Sequence, residues 1–332
     1  MLTRRLYYLF KPYLPRRIRM SMRRIVARRK RVESASIWPI NESTGIAPAG
    51  WAGWPHNKKF AVVLTHDVEG PDGVAKCRQL AELEMELGFR SSFNFIPEGP
   101  YRVTPELRSW LISNGFEVGV HDLNHDGHLY SSQQGFARKA VKINEYLREW
   151  GAVGFRAGFM LRNLDWVHHL NIRYDASTFD TDPFEPQPDA AGTIFPFWIK
   201  APAKDTSLLN EPQFPTNPAN DRSGYAELPY TLPQDSTLFL VLEERTNEIW
   251  REKADWISQR GGMVLVNVHP DYLEVKAPGV KETLTVRDHY RDLLRYLKNT
   301  YGQTFWPALP REVADYVHSL NRSSILKTTN SR

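Results

Sequence analysis

The chain is 332 residues long, 41% hydrophobic and 12% aromatic, enough to bury a large α/β core in one domain with appendages. Its single cysteine, Cys77, excludes an internal disulfide framework and leans towards a cytoplasmic protein. The formal charge of +5 is uneven: residues 1–31 hold twelve Lys or Arg and no Asp or Glu, so the other 301 residues carry a net −7.

Within residues 1–31, the apolar run Leu6–Phe10 is too short to span a bilayer, and no cleavable secretory signal follows it. After Pro15, Ile18, Met22 and Ile25 recur at helical spacing among nine basic residues. That pattern suits an amphipathic helix on an anionic membrane surface at the inner membrane face; the plain alternative is a solvated tail. No nucleic-acid recognition pattern accompanies the charge, so no nucleic acid is expected as a partner. Residues 32–58, rich in Pro, Gly and Trp, read as a linker or a wrap, residues 59–320 as the ordered domain and 321–332 as a tail.

From Lys59 the pattern alternates between strand and helix. Phe60–Leu64 is an apolar β run, and Val74–Leu87 is helical and stopped by Gly88. Ser91–Ile96 forms a second strand, and Pro105 behind the cap Thr104 starts a helix that Gly115 closes. Phe116–Val120 is a third strand, Ser132–Trp150 a helix, and Val153–Phe155 a short strand ending at Arg156. Residues 182–236 contain ten prolines and read as an irregular excursion around Phe195-Pro-Phe-Trp198. Regular structure returns at Leu238–Leu242, followed by a helix over Thr246–Gln259, a strand over Met263–Val268 and a final helix over Val286–Asn299. Alternating elements of these lengths predict βα units around a parallel sheet, with the active site at the strands' carboxyl ends.

Chemistry-bearing residues fall at those ends. Asp67 and Glu69 follow the first strand in Leu64-Thr-His-Asp67-Val-Glu69, and His121 and His125 follow the third in Val120-His-Asp-Leu-Asn-His125. Two imidazoles at i and i+4 on helical backbone, with one carboxylate, make a three-ligand site with room for water. Hydrolysis then needs a base and an acid, for which Asp67 and His269, at the end of a later strand, are available. Taken singly, the histidine pair could be chance, Asp67 a helix cap and His269 a core residue; their joint placement at strand ends favours a site. His168-His169 reads as structural. Serine-esterase, Walker and dinucleotide motifs are absent.

At these residues the chain resembles the NodB-homology polysaccharide deacetylases, carbohydrate esterase family 4, over about residues 59–316. The family's Thr-Phe-Asp-Asp is similar to Thr65-His-Asp67-Val-Glu69, and its His-Ser/Thr-x-x-His to His121-Asp-Leu-Asn-His125. Its Arg-x-Pro-Tyr/Phe is similar to Arg156-Ala-Gly-Phe159, and its last motif to Val264-Leu-Val-Asn-Val-His269. The resemblance implies a distorted (β/α) barrel of the NodB-homology type that binds one divalent metal, most often zinc. It implies removal of acetyl groups, mainly N-acetyl, from an acetylated glycan substrate.

On that basis Glu69, His121 and His125 are the expected metal ligands, Asp67 the base, His269 the acid and Arg156 the residue that orients Asp67. Phe159 marks an oxyanion amide, and Asp175 or Asp180 supplies a supporting carboxylate. Phe197, Trp198 and Tyr230 are the aromatics available to stack on sugar rings or to fill the core. Val68 stands where the usual motif has its second Asp, so the ligand falls to Glu69, as in the Asp-x-Glu variant; otherwise Asp67 is itself the ligand. Gly158 replaces the usual Pro. The same variant includes metal-free amidases of cyclic ureides, and a non-catalytic carbohydrate-binding relative is the third possibility.

Overall fold

The computed structural model describes residues 16–187, 189–202, 223–276 and 284–329. Helix α1 is Arg16–Glu33, followed by a wrap that leads into strand β1, Phe60–Val68. Then come α2 (Pro71–Leu87), β2 (Ser92–Phe95), α3 (Pro105–Ser113), β3 (Glu117–His121), α4 (Gln133–Trp150), β4 (Gly154–Arg156) and β5 (Tyr174–Asp175). The hairpin β6 (Phe197–Lys200) and β7 (Gly224–Glu227) is followed by a π-helical turn, Ser236–Val241, and by α5 (Glu248–Arg260). The chain ends with β8 (Met263–Asn267), α6 (Val286–Tyr301), β9 (Phe305–Ala308) and α7 (Pro310–Thr329).

The strands form one curled sheet in the order β6-β7-β5-β4-β3-β2-β1-β8, with β9 beside the first half of β1. Every pairing is parallel except β6 with β7. The gap between β7 and β8 is bridged by Thr231, whose N–H donates to the Leu265 carbonyl at 3.0 Å and whose hydroxyl donates to the Met263 carbonyl at 2.7 Å. The result is a distorted (β/α) barrel, as expected.

Strands β1 to β5 and β8 are buried on both faces, as a parallel sheet between layers requires. Because successive side chains point to opposite faces, Phe60, Val62 and Leu64 pack towards the helices, whereas Ala61 and Val63 fill the interior with Met263 and Leu265. That period places Thr65 and Asp67 on the interior face of β1, Asn94 on that of β2 and His121 on that of β3. The helix ends follow local rules: the Thr104 side chain accepts from Leu107 N–H and Ser132 from Gly135 N–H, while Gly88 takes φ 83° to end α2.

The regular structure expected at Leu238–Leu242 is present as most of the π-helical turn, capped by Asp235. Two further elements were not expected. Beyond the helix expected to be last, β9 pairs with β1, with Phe305 opposite Phe60, and α7 follows. Pro307 hides β9 from a β-propensity reading, and α7 runs through most of the segment taken as a tail. Residues 34–58 lie against the barrel, burying Trp38 and Trp54.

Candidate active site

At the carboxyl ends of β1 and β3, the ligand atoms of Glu69, His121 and His125 all lie within 4.8 Å of one another. Glu69 Oε1 is 3.3 Å from His125 Nε2 and 3.8 Å from His269 Nε2. The two histidines are not on a helical turn, as the spacing suggested. His121 ends β3, and Asp122 at φ 58° and His125 at φ 54° turn the chain in left-handed steps that bring the rings to 4.8 Å between centroids. The His121 ring donates from Nδ1 to the Arg156 carbonyl at 3.1 Å, which leaves the Nε2 lone pair facing the cluster. Both His121 Nε2 and His125 Nε2 are buried without a hydrogen-bond partner. Burying a ring nitrogen unpaired is costly, and a cation is the partner that an N2O donor set of this kind fits.

Asp67 is 2% exposed, and each of its oxygens is engaged. Asn94 donates to Oδ1 at 3.0 Å, Asn267 to Oδ2 at 2.8 Å, and the Arg156 Nε lies 3.5 Å from Oδ1. Burial alone raises this carboxyl, but the Arg156 charge, helped by His121, His269 and the Asn94 amide, overrides burial and holds it far below the usual carboxylate range. Arg156 is fully buried and donates to the Thr65 hydroxyl at 3.0 Å. Glu69 shows the same contest: burial raises it, and His269, His125, His121 and the Tyr272 hydroxyl, which donates at 3.0 Å, bring it down. The pair thus differs in surroundings, Asp67 enclosed by donors and Glu69 open to the histidines.

His269 donates from Nδ1 to Asp235 Oδ1 at 2.6 Å, and its backbone N–H donates to Asp235 Oδ2 at 2.8 Å. Burial lowers this imidazole, but Asp235, together with Glu69 and Asp67, pushes it up to about 10. Asp175 sits behind the site: its burial raises it to about 6, with the Ser177 hydroxyl and the Arg156 charge opposing. Asp180 is elsewhere, paired with Lys253 at 2.8 Å. Phe159, at φ 57°, lays its ring on His125 with centroids 4.3 Å apart.

The expected sugar-stacking aromatics are not brought to the site. Tyr230 is 1% exposed and donates to Asp182 and Glu185 in the core. Trp198, on the β6–β7 hairpin, stacks on His318 of α7. Phe197 lines a separate cavity of about 380 Å³ with Arg162 and Thr178 that includes no ligand or titrating residue of the site. Asn94, Asp235, Asn267 and Tyr272 complete the site without having been singled out from the sequence. Asn94 and Asn267 could have been found by strand parity, since they share the interior face with Asp67 and His269. Asp235 had no such signal inside a Pro-rich stretch.

Gly158 has a steric reason. A Cβ there would lie 2.5 Å from Asp122 Oδ2 and 2.8 Å from His125 Cδ2, so the loop holding His125 packs directly on the glycine backbone.

No family model matches the chain, and no curated protein is detectably similar in sequence. Solved structures are similar. A candidate polysaccharide deacetylase from Mycobacterium smegmatis superposes with a TM-score of 0.58 at 16% identity, covering 83% of this chain and 96% of that one. The chain has the polysaccharide deacetylase fold. The peptidoglycan deacetylase PdaC from Bacillus subtilis is similar at a TM-score of 0.42 and 13% identity, covering 83% of this chain and 98% of that one. A candidate polysaccharide deacetylase of O-antigen biosynthesis from Bordetella bronchiseptica is similar at 0.39 and 17%, covering 77% and 87%. At those two scores the likeness is one of outline.

Proposed function

We propose that the protein is a metal-dependent hydrolase that removes acetyl groups, chiefly N-acetyl, from an acetylated sugar of a glycan. The observation that carries this reading is the pair of buried Nε2 atoms of His121 and His125, neither with a hydrogen-bond partner, beside Glu69 and set between a carboxylate held ionised and an imidazole held protonated. Those three residues would hold a divalent cation, zinc by the character of the donors, which would supply Lewis acidity to the acyl carbonyl and lower the pKa of water at the site.

The chain's own residues do the rest. Asp67 takes the proton of the attacking water as the new C–O bond forms, and the Arg156 guanidinium and the Asn94 and Asn267 amides fix its orientation. His269, held by Asp235, delivers a proton to the amide nitrogen as the C–N bond breaks, leaving acetate and a free amine on the sugar. The Phe159 loop beside His125 is where a backbone amide can meet the developing oxyanion. Glu69 is bound out of the base role by its contact with His125, so Asp67 serves as base.

The test is elemental analysis of the purified protein beside a His121→Ala/His125→Ala variant, paired with acetate release from N-acetylated oligosaccharides before and after zinc is added. About one equivalent of metal in the wild type alone, with metal-dependent acetate release, is the expected result. A protein that takes up no metal from excess zinc refutes the reading.

A further inference from the structure

Helix α1 is seated the wrong way round for a helix of a water-soluble surface. Such a helix normally packs its apolar stripe inward and shows its charges to water. Here the cationic side faces the protein. Arg24 donates from Nε to the Leu240 carbonyl at 3.1 Å and pairs with Glu243 at 2.8 Å; Lys30 donates to the Pro183 carbonyl at 2.5 Å, and Arg31 pairs with Glu244. The small side chain of Ala27 is the buried contact at the centre of that side. The opposite side presents Ile18 (48% exposed), Met22 (48%), Ile25 (67%), Val26 (54%) and Val32 (78%) to solvent. These are half of the ten large apolar residues exposed among the described residues, so the concentration on one helix is not the ordinary scatter of surface hydrophobics.

The chemistry of the rim identifies the occupant. At 100° per residue, the exposed Arg23 and Arg28 flank the apolar stripe on opposite sides, and Arg29 lies within it; Arg28 touches Glu243 at 3.3 Å and Arg29 touches Glu33 at 2.8 Å, both in solvent-exposed pairs that an anionic headgroup can displace. Long cationic side chains beside an apolar strip can reach upward to anionic headgroups while the strip enters the acyl boundary. No described helix is long and apolar enough to cross a membrane, so the arrangement is one that lies on the surface. The anchors of α1 lie in the connections that follow β5 and β7, and the second of these also carries Asp235, which holds His269. The helix is therefore fastened to loops that leave the carboxyl ends of strands, the end where the candidate site lies.

We propose that α1 is an interfacial helix that docks this end of the barrel on an anionic lipid surface. Resting on the deacetylase reading, this makes the substrate a glycan presented at that surface, such as one carried on a lipid.

The experiment uses the full chain and needs no turnover. Sedimentation is measured with phosphatidylcholine vesicles and with vesicles containing about one third phosphatidylglycerol, for wild type and for Ile18→Ser/Met22→Ser/Ile25→Ser. All three positions are solvent-exposed, so metal uptake and melting temperature should match wild type and report an intact fold. Expected are binding to the anionic vesicles, weakening with salt, little binding to the neutral ones, and a loss of roughly tenfold or more in the variant. Wild type that ignores anionic vesicles, or a variant that binds them as wild type does, overturns the proposal. So does a lipid-free dimer that the same substitutions dissociate, which would give the stripe to a second copy. Vesicle binding by a chain that takes up no metal would leave this inference standing and remove the deacetylase reading.

Discussion

Replacing Gly158 by Ala tests whether the loop of His125 is shaped as the structure requires. The added methyl would stand 2.8 Å from His125 Cδ2 and 2.5 Å from Asp122 Oδ2. Ordinary van der Waals contact begins at 3.4 Å, so the imidazole or the backbone under it must retreat by about half an ångström or more. Neither neighbour is the free end of a flexible chain: Asp122 is 1% exposed and fastened to Leu123 N–H, and His125 is pinned between His121 and Phe159. Overpacking of this kind costs about 1–3 kcal/mol, which a chain of this size survives. A ligand displaced by a fraction of an ångström costs metal affinity roughly 10–100-fold. The assay is competition for zinc against a chromophoric chelator, with melting temperature measured on the same samples and His125→Ala as the reference for a lost ligand. A Gly158→Ala protein that is folded and holds zinc within about threefold of wild type would refute the reasoning.

Four further outcomes are expected. Asp235→Asn removes the charge that pushes His269 up to about 10, so the imidazole loses its proton at lower pH and the alkaline limb of the rate profile moves down; an unmoved limb dismisses His269 as the acid. Glu117, fully buried and pushed up to about 7 from 4.5, folds best protonated, so its contribution is full below pH 4.5 and is lost as pH rises through 7, on the order of 3 kcal/mol; the stability of Glu117→Gln relative to wild type should therefore rise between pH 5 and pH 8, and a constant difference in urea titrations would contradict this. Stripping the metal with a chelator should abolish acetate release and lower the melting temperature by several degrees, both restored by zinc, because a ligand that binds only the folded chain stabilises it; melting curves that superimpose with and without the chelator would argue against a resident cation. Val68→Asp combined with Glu69→Ala should not recover zinc binding, because position 68 faces the apolar layer under the helices; recovery, read by the same chelator competition, would show that position 68 reaches the site.

The legibility of the site in the sequence follows from strand parity. Asp67, His121 and His269 were visible because each sits at or just past the end of an apolar run, and in a parallel barrel that is where side chains converge. Asp235 was not, because its contact with His269 spans 34 residues and its own neighbourhood reads as a proline-rich loop. The left-handed turn between His121 and His125 was hidden by a spacing that equally suits a helix. The same parity supports the proposed division between the two carboxylates. β1 continues through Val68, which is wholly buried among the residues that pack towards the helices, so positions 67 and 69 share the interior side and position 68 does not. A carboxylate at 68 would be driven into the apolar layer, whereas one at 69 emerges where the strand ends and meets His125. With Asp67 already enclosed by Arg156, Asn94 and Asn267, the carboxylate that turns towards the histidines is Glu69.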